Sequence, residues 1–199
     1  MDGSEPENPA DGNPASKLTD DPEAVARLIC LRLLTAAPRT RAQLATALRR
    51  RGIPDDAAES VLGRFADVGL IDDALFARAW VETRHHGRGL ARRAIAAELR
   101  QRGVGAEDVR DAVGTLDPDA EIATARRLVD RKLAATRGQP PAVRTRRLVA
   151  TLARKGYPAP LAFRVVREAL DAEGIDPVAV GLDDAEAAYD PAETAPGDL

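Results

Sequence analysis

The chain has 199 residues, 44% of them hydrophobic, which is enough for one or two ordinary domains with a buried core. Aromatic residues make up only 3%, and the abundance of Ala and Leu favours helices over sheets. The formal net charge is −3, and the one cysteine, Cys30, excludes both an intrachain disulfide and a cysteine-based structural zinc site.

Charge is distributed unevenly along the chain. Residues 1–23 carry −6 and residues 172–199 carry −8, whereas residues 24–171 carry +11. A basic body between two acidic ends predicts a polyanionic partner; the alternative is that an arginine-rich composition merely gives basic helix faces. No apolar run is long enough to cross a bilayer or resembles a signal peptide, so we expect no membrane and a cytoplasmic location.

Nine helices are predicted between the acidic ends, and no segment shows the alternation of a strand. They cover approximately residues 22–37, 40–52, 55–68, 73–85, 90–102, 106–115, 118–136, 142–155 and 160–172. Asp21 and Asp117 each precede a proline, the arrangement of an N-cap followed by Pro at the first helical position. Thr40 and Gln43 have the spacing of a capping box.

One apolar pattern recurs three times. Gly52, Gly103 and Gly156 are predicted to end the second helix of three successive units, and they lie 51 and 53 residues apart. Four residues before each glycine lie Leu48, Leu99 and Leu152, and eight before it lie Leu44, Ile95 and Leu148. Nine residues after each glycine lie Val61, Ala112 and Val165, and ten after it lie Leu62, Val113 and Val166. Such spacings place apolar side chains on one face of each helix.

We therefore predict an all-α fold of three tandem three-helix repeats, at residues 21–71, 72–116 and 117–172. Single modules of about 50 residues are marginal, so stacking into an elongated, curved helical body is expected. The acidic segments 1–20 and 173–199 are predicted to be disordered. A monomer of this kind suits a long polymeric partner better than a small molecule.

The stretch HHGRGLARR (85–93) is compatible in composition with a metal site, a phosphate loop or an anion site at a helix N-terminus. His85 and His86 are the only histidines, and neighbouring helical residues point about 100° apart, so a polar helix end explains them better than a metal site. The stretch lacks the spacing of a phosphate loop, and no strand precedes it. A glycine turn that leads into a helix does expose N–H groups, so a DNA phosphate or partner carboxylate is expected there; the alternative is a solvated turn.

No catalytic constellation is predicted. Cys30 lies in an apolar run and is expected to be a buried, inert thiol. Asp72 and Asp73 precede a helix, so capping explains them better than a catalytic carboxylate pair. We expect no enzyme and no cofactor. Among the aromatic residues, Phe76 and Trp80 are predicted to lie in the core, and Tyr157 is the best exposed candidate for stacking on bases.

The segment 69–104 resembles the central signature of the RecX family, regulators of the RecA recombinase. The matching pieces are LIDD at 70–73, FA at 76–77, Arg84, a Gly-Arg-Gly turn and a basic helix end. LRRRGIP (48–54) and LARKGYP (152–158) resemble the same helix end, and the resemblance extends over residues 25–172. The positions predicted to carry the structural motif are Asp72, Asp73, Phe76, Gly87, Gly89, Gly52, Gly103 and Gly156.

The resemblance implies a protein that binds along the groove of the RecA–DNA filament, contacting single- or double-stranded DNA directly or through the filament. It also implies inhibition of strand exchange, ATP hydrolysis and coprotease function, within recombination, DNA repair and the SOS response. Arginine is densest in the second and third repeats. The residues predicted at the contact are Arg84, Arg88, Arg92, Arg93, Arg100, Arg102, Arg144, Arg146, Arg147, Arg154 and Lys155.

Two other functions stay open at the level of the sequence. A stand-alone DNA-binding module, with residues 40–52 in a helix-turn-helix, would lose affinity with salt at a slope of about −0.9 per phosphate contacted. A helical scaffold for an acidic protein would bind its partner without any effect of DNA. Removal of residues 1–20 and 176–199 is expected to strengthen binding to anionic filaments.

Overall fold

A computed structural model describes residues 21–175, and within this range the chain is helical without a β-strand. Nine α-helices follow in order: α1 (Pro22–Ala36), α2 (Arg41–Arg49), α3 (Asp55–Asp67), α4 (Asp73–Arg88), α5 (Arg92–Gln101), α6 (Ala106–Gly114), α7 (Pro118–Leu133), α8 (Pro141–Ala153) and α9 (Ala159–Asp171). A 3₁₀ turn, Ala134–Thr136, follows α7. The all-α prediction is confirmed, and the predicted acidic segments lie outside the described residues except for 173–175.

The helix starts follow the predicted capping signals. Asp21 and Asp117 each accept a hydrogen bond from the backbone N–H two residues ahead, at 3.0 Å. At the start of α2, Thr40 Oγ1 accepts from Gln43 N and Gln43 Oε1 accepts from Thr40 N, both at 3.2 Å. The capping box is therefore confirmed, and it satisfies two N–H groups that the helix itself leaves without partners.

Helices α1–α3 form a compact unit that ends at Asp72, and α4–α9 form a second unit from Asp73. The core of the first unit is built around Leu44, Leu48 and Leu62, all fully buried. Cys30 packs in the same core, and burial raises the pKa of its thiol, as expected for an inert cysteine.

The second unit contains two apolar cores. Ile95 and Leu99 are central to the core of α4–α6, and Leu148 and Leu152 to that of α7–α9. Their side chains are at most 1% exposed, which confirms that these repeated positions face inward, whereas Val113 is only partly buried against the core of α4–α6. Each three-helix module thus has a core of its own, as the period of the apolar pattern predicts.

The second helix of each module ends in the same left-handed turn. Gly52, Gly103 and Gly156 have φ values of 73°, 79° and 84°. The N–H of the residue after each glycine donates to the carbonyl of the leucine four residues before it. These pairs are Ile53 to Leu48 at 3.3 Å, Val104 to Leu99 at 3.1 Å and Tyr157 to Leu152 at 3.2 Å. This is the Schellman motif, in which the two bonded residues also make an apolar contact.

The expectation that Tyr157 is exposed is wrong, because its side chain is 3% exposed. Tyr157 occupies the position of Ile53 and Val104 in the repeated turn, where an apolar side chain packs back onto the module core. Its hydroxyl donates to Gly89 O at 3.2 Å. Burial raises the pKa of Tyr157, so the group is a neutral hydrogen-bond donor at physiological pH.

The turn after α8 also joins the third module to the second. Ala91 N donates to Lys155 O at 2.9 Å, and Lys155 Nζ donates to Arg88 O at 2.6 Å. Gly156 lies directly against Ala94 at the start of α5, where a Cβ atom would lie 2.6 Å from the Ala94 Cβ. Close backbone approach and positive φ therefore both require glycine at this position.

The predicted end of α4 needs a correction. The helix continues through Gly87 to Arg88 instead of stopping near His85, and Gly87 has no positive φ. Gly89, with φ of 64°, makes the break alone. An ideal Cβ on Gly89 would lie 3.2 Å from Leu128, so this turn too is tightly packed against α7. Gly87 is therefore a helical residue, and the predicted turn reduces to one glycine.

We expect Gly156→Ala to destabilise the protein far more than Gly138→Ala. Gly138 also has positive φ, at 78°, but nothing lies within 4 Å of its added Cβ. The backbone penalty alone gives about 1 kcal/mol for Gly138→Ala, whereas the clash with Ala94 raises the loss to about 3 kcal/mol for Gly156→Ala. Urea unfolding of the two variants measures both losses, and equal losses would contradict the close packing of the module junction.

Candidate functional site

A basic groove lies in the second unit, where the end of α4 meets α7 and α8. It consists of a depression of about 1210 Å³ and a smaller one of about 480 Å³, which share Lys132, Thr151 and Arg154. The larger depression is lined by six Lys or Arg residues and only two acidic residues, Glu98 and Asp130. The cationic residues of the two depressions together are Arg88, Arg127, Arg131, Lys132, Arg146, Arg147, Arg154 and Lys155.

The periodicity of α7 and α8 brings these cations together. Arg127 and Arg131 are four residues apart and share one face of α7. Arg147 lies on α8, and Arg154, seven residues later, is the C-cap of that helix. The buried residues of both helices lie on the sides that face the module core. Burial of the apolar side of each helix therefore leaves the arginine side to line the groove.

Lys155 is held by the turn that joins the two modules. Its Nζ donates to Arg88 O, while its own carbonyl accepts from Ala91. The pKa of Lys155 is lowered, mainly by burial and then by the positive charges of Arg131 and Arg88. Positive charges thus converge in the groove, which favours an anionic ligand.

Three of the groove arginines make hydrogen bonds but no ion pair within the described chain, and one of them is Arg131, whose Nε donates to Arg127 O at 3.3 Å. Arg127 donates to Thr124 Oγ1 at 2.9 Å, and Arg154 donates to Thr151 Oγ1 at 3.5 Å. Across residues 21–175, none of the eight groove cations has a carboxylate oxygen within 4.0 Å. Their guanidinium and ammonium groups are therefore available to phosphate or carboxylate oxygens from another molecule.

His85 is a buried structural residue beneath this surface. It is 1% exposed, and its Nδ1 lies 3.0 Å from Leu90 O while its Nε2 lies 3.1 Å from Thr124 Oγ1. Because a carbonyl only accepts, Nδ1 carries a proton. No cluster of three or more His, Cys, Asp or Glu side chains among the described residues could hold a metal ion.

The start of α5 does not offer the anion site expected from its sequence. Glu121 of α7 is buried there, and its Oε1 accepts from Arg92 N at 2.9 Å. Its Oε2 accepts from Arg92 Nε at 2.7 Å, and the Arg92 guanidinium also donates to Leu116 O at 3.0 Å. The carboxylate that binds this helix N-terminus thus belongs to the chain itself.

Arg84 and Arg102, also predicted at the contact, are engaged with Trp80. Each guanidinium carbon lies 3.8 Å from the centre of the Trp80 ring. Glu98 accepts from Trp80 Nε1 at 2.8 Å and from Arg84 Nε at 3.0 Å. Burial lowers the pKa of Arg102, with Glu98 acting against this and Arg84 adding to it. This cluster stabilises the second module through cation–π contacts.

Trp80 and Phe76 are only partly buried, although the sequence predicts that they lie in the core. Their rings stack with centroids 5.5 Å apart at the edge of the core of α4–α6. Trp80 stays at the surface because its Nε1 bonds to Glu98 and its ring carries two arginines. The pair covers the core and does not form its centre.

Arg144 is buried and belongs to the fold. Its side chain is 5% exposed; it pairs with Glu173, and its Nε donates to Thr136 Oγ1 at 3.0 Å. Hydrogen bonds from Arg144 and then from Arg137 lower the pKa of Glu173 against the opposing effect of burial. Arg144 is therefore not available as a contact residue in this structure.

The predicted contact residues thus fall into three sets. Those that line the groove are Arg88, Arg146, Arg147, Arg154 and Lys155. Those bound within the protein are Arg84, Arg92, Arg102 and Arg144. Arg93 and Arg100 are exposed on α5 and do not line the groove.

Three groove cations were not predicted: Arg127, Arg131 and Lys132. All lie on α7, in the run RRLVDRK. The spacing of Thr124, Arg127 and Arg131 follows one face of a helix, and this is the signal that identifies them. It is easily missed because acidic residues on the same helix lower its net charge.

Family models match three successive parts of the chain: the first three-helix domain of RecX at residues 26–65, the second at 72–113 and the third at 119–166. The regulatory protein RecX of Thermobifida fusca is 64% identical over 83% of this chain and 90% of its own length. That of Streptomyces coelicolor is 62% identical over 78% of this chain and 83% of its own length.

Solved structures of RecX proteins have the same fold. The crystal structure of RecX from Lactobacillus salivarius has a TM-score of 0.70 at 19% identity and covers 77% of this chain and 99% of its own. A second crystal structure, of a regulatory protein RecX, has a TM-score of 0.69 at 25% identity and covers 84% of this chain and 82% of its own. Among the described helices, none is long and apolar enough to cross a membrane.

The difference between buried and groove arginines predicts that two changes on α8 differ strongly in their effect on stability. Arg144→Gln removes a buried guanidinium that donates to Thr136 Oγ1 and pairs with Glu173, and we expect the lost buried hydrogen bond to cost about 2 kcal/mol in the free energy of unfolding. Arg147→Gln removes an exposed cation and is expected to change it by less than about 0.5 kcal/mol. Urea unfolding at neutral pH tests both.

The same pair predicts a pH dependence. Because the pKa of Glu173 lies below its ordinary value of 4.5, its stabilising contribution is fully present above that value and is lost as pH falls through the lower pKa. The stability difference between wild type and Arg144→Gln should therefore shrink at acid pH. A difference that persists unchanged at pH 3 would contradict the ion pair.

Proposed function

Because the chain belongs to the RecX family of regulatory proteins, we propose that it binds the RecA–DNA filament through the basic groove and thereby inhibits the recombinase. Inhibition would extend to strand exchange, ATP hydrolysis and coprotease function. The protein would act in the cytoplasm and would regulate recombination and DNA repair. The chain acts as a monomeric binding protein without a reaction or cofactor of its own.

The observation that supports this proposal is the concentration in the groove of cations that have no carboxylate partner within residues 21–175. Six Lys or Arg side chains line the larger depression against two acids, on helices fixed by two packed cores. Arginine binds phosphate through two parallel hydrogen bonds, and the filament offers both DNA phosphates and protein carboxylates in a repeating array. A groove that spans two modules suits such an extended ligand.

A stand-alone DNA-binding protein is the second candidate, because the same cations would bind free DNA. Such a protein would inhibit only by coating DNA, so added DNA would relieve the inhibition. A filament regulator would act well below one molecule per recombinase subunit and would not be displaced by excess DNA. ATP hydrolysis by the cognate recombinase on saturating single-stranded DNA distinguishes the two.

We expect the double change Arg131→Gln/Arg154→Gln to raise the concentration needed for half-inhibition of ATP hydrolysis about tenfold, the equivalent of about 1.4 kcal/mol. The control is Arg78→Gln/Arg110→Gln, which removes the same charge from exposed positions outside the groove in the same unit. The control should stay within about twofold of wild type.

Circular dichroism and urea unfolding verify that both variants are folded. Equal weakening by the two variants would show that net charge alone governs binding and would contradict the groove as the contact. Inhibition by wild type that excess DNA relieves would contradict the filament as the target.

A further inference from the structure

The groove has a large excess of positive over negative charge among the described residues. Its two depressions together contain eight Lys or Arg side chains and two acidic ones. The mutual repulsion is visible at Lys155, whose pKa is lowered in part by Arg131 and Arg88. Any anion that enters the groove relieves this repulsion.

The chain itself supplies a segment of opposite charge. Residues 176–199 contain seven acidic residues and no Lys or Arg: Asp176, Asp183, Asp184, Glu186, Asp190, Glu193 and Asp198. We propose that this acidic segment occupies the basic groove when no partner is bound, and that a polyanionic partner must displace it. The inference rests on the proposed function in taking the groove as the polyanion-binding surface.

The last described residues belong to the unit that contains the groove. Ile175 packs against the core of α7–α9, and its N–H donates to Leu170 O at 3.1 Å. Glu173 pairs with Arg144, whose Nε donates to Thr136. Thr136 lines the smaller depression, so two successive contacts connect the end of the described chain to the groove.

The acidic residues of the segment can extend far from Ile175. Asp183, Asp184 and Glu186 follow Ile175 by 8 to 11 residues, a span of up to roughly 26 to 36 Å when extended. Because the segment is covalently attached, its local concentration is on the order of millimolar or higher. A weak interaction at each carboxylate therefore suffices for substantial occupancy of the groove.

The acidic segment at residues 1–20 offers a comparison for the acidic segment 176–199. Residues 1–23 carry −6, but they are attached to the unit of α1–α3, whereas the groove belongs to the unit of α4–α9. Simple net-charge repulsion of a polyanion would make the two acidic segments equivalent. If the segment after Ile175 occupies the groove, neutralising that segment should have the larger effect.

The test uses two full-length variants with the same change in net charge. One carries Asp183→Asn, Asp184→Asn, Glu186→Gln and Asp190→Asn. The other carries Asp2→Asn, Glu5→Gln, Glu7→Gln and Asp11→Asn. The probe is a fluorescein-labelled 20-residue oligothymidylate, and its anisotropy gives the dissociation constant at 50 mM and at 500 mM NaCl without any recombinase.

We expect the first variant to bind the oligonucleotide about three- to tenfold more tightly than wild type at 50 mM NaCl, because removing a competitor raises the fraction of binding-competent protein. The second variant should stay within about 1.5-fold, and the difference should disappear at 500 mM because salt screens the contact. Equal strengthening by both variants, or no strengthening by either, would overturn the proposal.

A second measurement needs no ligand. In two-dimensional NMR spectra of wild type and the first variant, the amide resonances of Thr151, Arg154 and Lys155 should differ, whereas those of Val61 and Leu62 in the first unit should not. Identical groove resonances in the two proteins would overturn the proposal. Because neither experiment contains recombinase, either failure would leave filament inhibition to be judged by its own assay.

Discussion

The left-handed turn that closes the second helix of each module is the feature on which the rest of the structure depends. In each case a glycine with positive φ lets the next residue donate a backbone hydrogen bond to a buried leucine, and a large apolar side chain packs onto the module core. The turn also directs the chain into the third helix. In the third module the same turn, through Lys155 and Gly156, packs against the second module as well.

Arginine is divided between two uses in this fold. One group is bound within the protein, as Arg92 is to Glu121 and Arg144 to Glu173, and stabilises the junctions between helices. The other lines the groove without a carboxylate partner in the described part of the chain. Net charge does not distinguish the two, because the difference lies in whether a carboxylate from a distant helix reaches the guanidinium.

Local signals in the sequence were sufficient for most of the fold. The capping residues, the repeated leucines and the glycine period predicted nine helices and three modules because they act through neighbours on the same helix. The same repeat also predicts that Tyr157 is buried, because Tyr157 aligns with Ile53 and Val104. The partners of Arg92 and Arg144 lie 29 residues away, and no local pattern gives that distance.

The main-chain bond from Ala91 to Lys155 O has a consequence for recognition. Together with the contact of Gly156 on Ala94, it fixes the end of α4 relative to α7 and α8, and so sets the width of the groove before any ligand arrives. The backbone positions that carry the lining cations are then fixed relative to one another. When a partner with matching anionic groups binds, the backbone of the groove needs no rearrangement, and the entropy lost by the protein is that of the lining side chains. Phosphates at a different spacing would satisfy fewer cations at once, so the junction turns a general attraction for anions into selection by geometry.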